Sequence, residues 1–191
     1  MKKNLFSVTF LLFFLSNAFA ADLKSIKEFE YQSISFSSSM DDLKSKGFEC
    51  KDKMCTLSDE SFTYDPGLLS ADILARNGKS VIFHENHPIK IIIDQLYPDT
   101  GELCQGIMTD LQSRFNAKYK ADINFTTYSG RFGPSTDYNS LYGSVKLGED
   151  ILRVGFSCNK VNKPDSHEKF TFIHALFDYE NLASRLLIDN I

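Results

Sequence analysis

The pattern of apolar and polar positions changes period along the chain, and each change predicts a different element. Residues 31–36 alternate between the two kinds, as a half-buried strand does. A short helix is predicted next, over about residues 40–46. Ser39 can cap this helix, Asp42 stands three residues later as in a capping box, and Gly47 suits the position just after its end.

A longer helix is predicted over about residues 100–119. Cys104, Met108, Leu111 and Phe115 recur at steps of four, three and four residues, so they share one face of a helix. This face is apolar enough to be buried. Cys104 therefore lies where it can reach a sheet packed beneath the helix.

The remaining apolar runs predict strands. Residues 81–84 and 89–94 are rich in β-forming residues and are predicted to form a hairpin that turns between them. Further strands are predicted at residues 123–128, 141–147, 152–158 and 169–177. Residues 129–140 are rich in turn formers and predict a long connection, whereas residues 180–189 are compatible with a terminal helix.

The order of these elements predicts the fold class. A helix followed by strands, and then a second helix followed by strands, favours an α+β fold with antiparallel sheet over a parallel, doubly wound fold. Two subunits of structure, about residues 30–97 and 98–191, would meet near Pro98. A tandem repeat of a helix-plus-hairpin unit is one arrangement that this order allows, although the cysteines fall at different places in the two halves.

The first residues of the chain have the composition of a signal peptide. Lys2 and Lys3 precede an apolar run over residues 6–15, and Ala18 and Ala20 supply the small residues that signal peptidase reads. The run is too short to span a bilayer, and no later segment reaches that length. We therefore expect residues 1–20 to be removed, leaving residues 21–191 as a single soluble α+β domain in the bacterial periplasm or, alternatively, as a secreted protein.

Charge narrows the range of partners. Removing Lys2 and Lys3 with the leader changes the formal net charge from −4 to −6. Proteins that bind nucleic acid generally carry a surplus of positive charge, because they must neutralise phosphates. The sequence therefore argues against nucleic acid as a partner.

Four cysteines in an exported chain predict disulfide bonds. Cys50, Cys55, Cys104 and Cys158 allow three connectivities, which spacing alone does not distinguish. A bond between Cys50 and Cys55 is favoured because the two flank a predicted hairpin turn. Cys104 would then pair with Cys158, which alternates toward the core on the strand predicted to face the long helix.

No recognisable catalytic or cofactor motif occurs in the sequence. The chain has no G-x-S-x-G elbow, and oxidised cysteines cannot act as thiolate nucleophiles. His84 and His87 flank a turn and do not have helical H-E-x-x-H spacing, whereas His174 is predicted to be a hydrogen-bonded core or sheet histidine. We therefore predict no catalytic residue, metal ligand or cofactor, with an exported hydrolase lacking a recognisable motif as the alternative.

One segment has the composition of a protein-binding loop. The candidate partner-binding residues are Tyr128, Arg131, Phe132, Tyr138 and Tyr142. Tyrosine and arginine bury a large area on binding, while the small polar residues between them adapt to a partner. The alternative is an ordinary connection whose tyrosines pack on the edge of the sheet.

The stretch from Phe36 to Leu43, the following Gly47-Phe48 and the cysteine hairpin resemble the opening of small exported α+β modules. These modules are of the beta-lactamase-inhibitor-like and SmpA/OmlA-like kind. The resemblance covers about 25 residues and implies a scaffold that binds other proteins in the bacterial envelope. The leading hypothesis is a periplasmic protein-binding module, such as an inhibitor of an envelope enzyme or an immunity protein against a toxin; a small-ligand or envelope-assembly module is a further alternative.

Overall fold

The computed structural model describes residues 25–64, 73–99, 101, 104–119, 123–132, 136–162 and 168–181. The predicted leader, residues 1–20, lies outside the described residues. Within the described part, no helix has the length and apolar character needed to cross a membrane.

Strands make up most of the described chain. The helical elements are a 3-10 turn at Ile26–Glu28, α1 at Met40–Ser45 and α2 at Cys104–Tyr119. The strands are β1 (Glu30–Tyr31), β2 (Ile34–Ser35), β3 (Glu49–Lys51), β4 (Met54–Tyr64), β5 (Ile73–His84), β6 (His87–Pro98), β7 (Thr126–Phe132), β8 (Thr136–Leu147), β9 (Asp150–Asn162) and β10 (Lys169–Asn181). β1 and β2 form a small separate sheet.

The other eight strands form one antiparallel sheet in the order β3-β4-β5-β6-β10-β9-β8-β7. Each half of this sheet is a run of four neighbouring strands that follows one helix: α1 precedes β3 to β6, and α2 precedes β7 to β10. The halves join where β6 pairs with β10, with Ile93 opposite Ala175. The prediction of an α+β fold with antiparallel sheet is confirmed, and α2 occupies part of the predicted range 100–119.

α1 begins with the capping box that its sequence predicts. The hydroxyl of Ser39 accepts a hydrogen bond from the backbone N–H of Asp42 at 3.0 Å, and the Asp42 carboxylate accepts one from the N–H of Ser39 at 2.9 Å. The carboxylate also accepts a hydrogen bond from the Ser39 hydroxyl at 2.7 Å, and the bonds that it accepts from the Ser39 N–H and hydroxyl hold the pKa of the Asp42 carboxyl below its usual value. Gly47 follows the helix with φ +87°, which a residue without a side chain adopts at little cost.

The core lies between the helices and one face of the sheet. Phe29, in front of β1, packs against Phe177 of β10 at 4.9 Å between ring centroids, and Phe115 of α2 packs against Phe156 of β9 at 5.6 Å. Leu152, Val154, Phe156 and Cys158 alternate along β9 and are all buried. This alternation places one side of β9 against α2, as period-two geometry requires.

Both cysteine pairs favoured by the sequence are bonded in the structure. Cys50 and Cys55 are directly opposed on β3 and β4, with 4.0 Å between their α-carbons. Cys104 joins α2 to Cys158 of β9, with 5.5 Å between their α-carbons. The second bond fixes the long helix against the sheet, because it crosses the core between the two layers.

Three predicted segments differ from the structure. The single strand predicted over residues 31–36 is instead a tight hairpin, because Gln32 and Ser33 turn with φ of +49° and +63°. The alternation of apolar and polar residues continues through this turn, because the strands on both sides of it place apolar residues against the core. The pattern alone therefore predicts one continuous strand. Of the predicted connection 129–140, the residues outside 133–135 lie in β7 and β8. Glu180 and Asn181 end β10 rather than begin a helix, and residues 182–191 lie outside the described part.

Candidate binding surface on the helix-free face of the sheet

The face of the sheet opposite the helices has no helix packed against it among the described elements. We call this the helix-free face. Strand alternation and register assign to it, among others, Met54 of β4, Ile92 and Asp94 of β6, His174 and Leu176 of β10, Gly155 and Ser157 of β9, Tyr142 of β8 and Tyr128 of β7. Phe172, which belongs to the same face, is buried although it lies outside the main core cluster.

Two exposed tyrosines stand together at one end of this face. The rings of Tyr128 and Tyr142 meet edge to face, with 5.9 Å between centroids and 63° between planes. Their exposed fractions are 54% and 49%. Met54, at the other end of the same face, is also exposed, whereas exposed Tyr97 alternates onto the opposite face. Three of the four exposed large apolar side chains among the described residues therefore lie on the helix-free face.

The position of Tyr142 depends on a glycine in the neighbouring strand. Gly155 lies directly opposite Tyr142, and a β-carbon at Gly155 would be only 2.9 Å from the Tyr142 ring. The absence of a side chain at Gly155 lets the ring lie across the backbone of β9. Aromatic rings commonly cover glycines in this way in sheets. In this arrangement about half of the Tyr142 side chain remains exposed to solvent.

The structure brings together two of the five candidate partner-binding residues. Tyr128 and Tyr142 form the exposed pair, although Tyr128 is opposite Ser140 rather than Tyr142 in the register. Arg131, Phe132 and Tyr138 are strand residues of β7 and β8, and their side chains lie outside the described part. The predicted loop is therefore a strand pair, and Tyr128 and Tyr142 are presented by a sheet.

A pair of polar side chains, Asp94 and His174, also lies on this face, and only the histidine was predicted from the sequence. His174 is a hydrogen-bonded sheet histidine, as predicted, and its Nδ1 lies 2.6 Å from the carboxylate of Asp94 on β6. Asp94 is almost fully buried, and Ser157 is directly opposite His174 on the other side, on β9. Asp94 and His174 are 80 residues apart. No local signal joins them, so only the register of β6 with β10 reveals the pair.

This Asp–His–Ser row lacks one requirement of an acyl-transfer site. β6, β10 and β9 are interior strands that pair with neighbours on both sides. The backbone N–H groups beside these residues are therefore used in the sheet ladders. An oxyanion needs N–H donors that are free to bind it. The row can orient an imidazole, but the ladders leave no backbone donor for a tetrahedral intermediate on these three strands.

Charged side chains on the helix-free face are largely paired with one another. Lys90 of β6 lies 3.8 Å from Asp178 of β10, and Arg153 of β9 forms an ion pair with Glu180 of β10. These pairs lie together at one end of the face, beside the row that contains Leu176 and Tyr142. These charge pairs therefore border the apolar row on one side, as charges border the apolar part of many protein-binding surfaces.

The other histidines do not form a metal site with described residues. His84 and His87 flank the turn between β5 and β6, where Glu85 and Asn86 have φ of +47° and +67°, and both histidines are exposed. Within the described ranges, no group of three histidine, cysteine or acidic side chains is placed to hold a metal ion. His167 lies outside those ranges.

A small open cavity lies near the middle of the sheet. Its volume is about 200 Å³, and polar side chains including Gln32, Asn77, Lys79 and Gln95 contribute to its lining. Sites for organic ligands are generally larger, roughly 300–1,000 Å³, and mainly apolar. This cavity therefore does not correspond to the apolar pocket that a small-ligand module would need.

Comparisons of this chain with protein-family models, with curated proteins and with solved structures find no match.

Proposed function

We propose that this protein is a periplasmic protein-binding module, and that its partner contacts the helix-free face around Tyr128 and Tyr142. The partner would be another protein of the bacterial periplasm or envelope. The module would act as an inhibitor of an envelope enzyme or as an immunity protein against a delivered toxin. The observation that carries the proposal is the exposed tyrosine pair on a face that no described helix covers.

The energetics of this pair fit a binding role. Each tyrosine exposes about half of its surface in the free protein. Burying apolar area of this kind is favourable by roughly 25 cal/mol per Å². A partner that covers both rings therefore gains this free energy on binding. Tyrosine, tryptophan and arginine are also the residues most enriched among binding hot spots. The sheet holds the two rings in place, so little side-chain entropy is lost on binding.

The order of elements supports the resemblance to small exported modules. The four antiparallel strands in each half of the main sheet follow one helix along the chain. We propose that these halves are repeats of one unit, with the helix-free face formed jointly by both. The disulfides differ between the halves, since Cys50–Cys55 joins two strands and Cys104–Cys158 joins a helix to a strand. Such a repeat would therefore share its chain path but not its crosslinks.

A capture experiment tests the proposal. The mature protein, immobilised as bait, is incubated with periplasmic extract, and retained proteins are identified by mass spectrometry. The affinity of the retained partner, once purified, is then measured by calorimetry for the wild type and for Tyr128→Ala/Tyr142→Ala. We expect the double variant to bind at least about 30-fold more weakly, because truncating hot-spot residues reduces affinity by this amount or more.

Tyr97→Ala is the matched control. Tyr97 is exposed to a similar degree, 46%, but lies on the opposite side of the sheet. Its variant should bind the partner like the wild type. Equal affinities for the double variant and the wild type would overturn the assignment of the helix-free face, and a loss confined to Tyr97→Ala would place the interface on the helical side.

The alternative function, an exported hydrolase, is favoured by one observation, the row of Asp94, His174 and Ser157. Hydrolysis of an activated ester distinguishes the two. A hydrolase that uses this row would lose its activity in Ser157→Ala and in His174→Gln, while Tyr128→Ala/Tyr142→Ala would retain it. A binding module would give the background rate in all three variants.

A further inference from the structure

The two edges of the main sheet differ in how they are protected against pairing with another strand. β3 has only three residues, two of them charged, Glu49 and Lys51. β4, which continues beyond β3, carries Asp59 and Glu60 and an irregularity in its register at this point. Short strands, charges and bulges are the devices by which sheets prevent edge-to-edge association. This edge therefore carries all three.

The opposite edge carries none of these devices over most of its length. β7 has seven residues, and the first five, Thr126 to Gly130, include no charge and no proline. Within the described ranges it pairs only with β8, and its register continues without a bulge. β-Branched and aromatic residues such as Thr127 and Tyr128 favour strands. Among the described strands, β7 is thus an edge strand whose outer backbone groups are available for pairing.

The register shows which residues of β7 direct their backbone outward. Leu147 and Asp150 flank the tight turn at Gly148-Glu149, so they form a hydrogen-bonded pair between β8 and β9. Hydrogen-bonding direction alternates along an antiparallel strand. Leu147 directs its backbone N–H and C=O toward β9, so the residues of β8 at an odd number of positions from it, including Ser140, direct theirs toward β7. Ser140 is opposite Tyr128, so the backbone groups of Tyr128 bond to β8. The residues on either side of Tyr128, Thr127 and Ser129, therefore direct N–H and C=O away from the sheet, and so does Arg131.

We infer that β7 pairs antiparallel with β7 of a second copy of this chain, about a twofold axis at Ser129. The pairing is self-complementary, because each strand offers the same outward N–H and C=O groups, as a twofold interface requires. With Ser129 opposite its own symmetry mate, Arg131 falls opposite Thr127, and no like charges oppose each other. Tyr128 falls opposite Gly130, which repeats the relation of Tyr142 to Gly155.

The resulting dimer is a weak one. Two strands of seven residues bury less than the roughly 1,200–2,000 Å² that stable interfaces bury. Its consequence is structural: the helix-free faces of two copies join, and the Tyr128–Tyr142 pairs of both copies lie on either side of the axis. This inference does not rest on the proposed function, since it concerns only the association of the chain with itself.

Sedimentation of the full mature protein over a range of concentrations tests the inference. Thr127→Pro removes an outward N–H, and proline is tolerated at an edge position whose N–H faces solvent. Thr127→Val keeps the N–H and is the matched control. We expect the wild type and Thr127→Val to dimerise with rising concentration, and Thr127→Pro to do so about tenfold more weakly. A wild type that stays monomeric up to about 1 mM would overturn the inference.

A crosslinking variant tests the register without relying on the proline variant. Ser129→Cys places two thiols at the axis, where hydrogen-bonded strand neighbours have α-carbons about 5.5 Å apart, within the range that a disulfide spans. Mild oxidation should give a covalent dimer on a non-reducing gel. Ser144→Cys, exposed on β8, is the control and should stay monomeric. Equal crosslinking of the two variants, or none in Ser129→Cys, would overturn the proposed axis.

Discussion

The ring of Tyr142 lies across the backbone of Gly155 on the neighbouring strand. A β-carbon at Gly155 would stand 2.9 Å from the ring, closer than a carbon–carbon contact allows. The glycine therefore determines how this tyrosine is presented beside Tyr128 on the helix-free face. The proposed binding surface depends on a residue that contributes no side chain to it.

Substituting this glycine should alter binding more than stability. In Gly155→Ala the added methyl group pushes against the exposed Tyr142 ring, which can turn aside, so we expect a loss of less than about 1 kcal/mol in the free energy of unfolding. Partner affinity should fall, because the ring moves. Gly78→Ala is the contrasting variant, since its β-carbon would meet the backbone oxygen of Leu57 at 2.6 Å. We expect it to cost about 2–3 kcal/mol.

Urea unfolding of both glycine variants measures the difference. A loss at Gly155→Ala as large as that at Gly78→Ala would contradict the view that the Tyr142 ring can yield while the β4 backbone cannot.

The two disulfides should contribute unequally to stability. In the chain-entropy model a crosslink stabilises more when it closes a longer loop. Cys104 and Cys158 are 54 residues apart, and Cys50 and Cys55 are 5 apart. We expect Cys104→Ala/Cys158→Ala to lower the free energy of unfolding by about 4 kcal/mol and Cys50→Ala/Cys55→Ala by about 2 kcal/mol. Denaturant unfolding measures both, and the reverse order would be incompatible with this account.

Asp99 should make the protein less stable in acid. Its carboxylate lies 2.5 Å from the Lys160 ammonium, and the hydrogen bond from Lys160 holds the pKa of the Asp99 carboxyl below its usual value. Because the folded pKa is the lower one, the pair stabilises the fold fully above the unfolded pKa, near 3.9, and this contribution is lost as pH falls through the folded pKa.

Asp99→Asn tests this effect. We expect the variant to lose about 1 kcal/mol or less at neutral pH, since the pair is only partly shielded from water. Its stability should also fall less steeply than that of the wild type below about pH 4. Thermal unfolding measured between neutral pH and acid gives the dependence of stability on pH for the wild type and the variant. Parallel curves would show that a group other than Asp99 causes the loss of stability in acid.

Tyr119 should make the protein sensitive to alkali. Its hydroxyl donates a hydrogen bond to the carbonyl of Glu30, and burial, followed by the nearby Tyr31 and Glu30, raises the pKa of Tyr119 well above its usual value. The unfolded chain then releases this proton first, so stability present below about pH 10 is lost as pH rises toward the folded pKa. Tyr119→Phe removes the titrating group and should flatten this decline, at a cost of about 1 kcal/mol at neutral pH.

Tyr128→Phe is the control for this prediction, because its ring is more than half exposed. Its alkaline unfolding curve should follow the wild type. An unchanged curve for Tyr119→Phe would assign the alkaline transition to a different tyrosine, such as Tyr31, whose pKa burial also raises.

Local chemistry made several elements predictable. α1 follows from Ser39 and Asp42, because a capping box involves residues only three positions apart. The buried stripe of α2 places Cys104 against the sheet for the same reason of short-range periodicity. Segments without a helical or capping signal were less predictable: residues 129–132 and 136–140 are rich in turn formers, and they form strands nonetheless, because strand pairing uses backbone groups.

Elements whose information lies within a few residues can be recognised from the sequence: the caps, the helical stripe, the β-rich runs and the cysteines available for bonding. The contact of Asp94 with His174, the position of Tyr142 over Gly155 and the place of β7 at an edge of the sheet follow from the three-dimensional arrangement of the strands. Local sequence does not specify them, because strand pairing uses backbone groups that every residue carries. Which strands become neighbours is therefore settled by packing of the whole core.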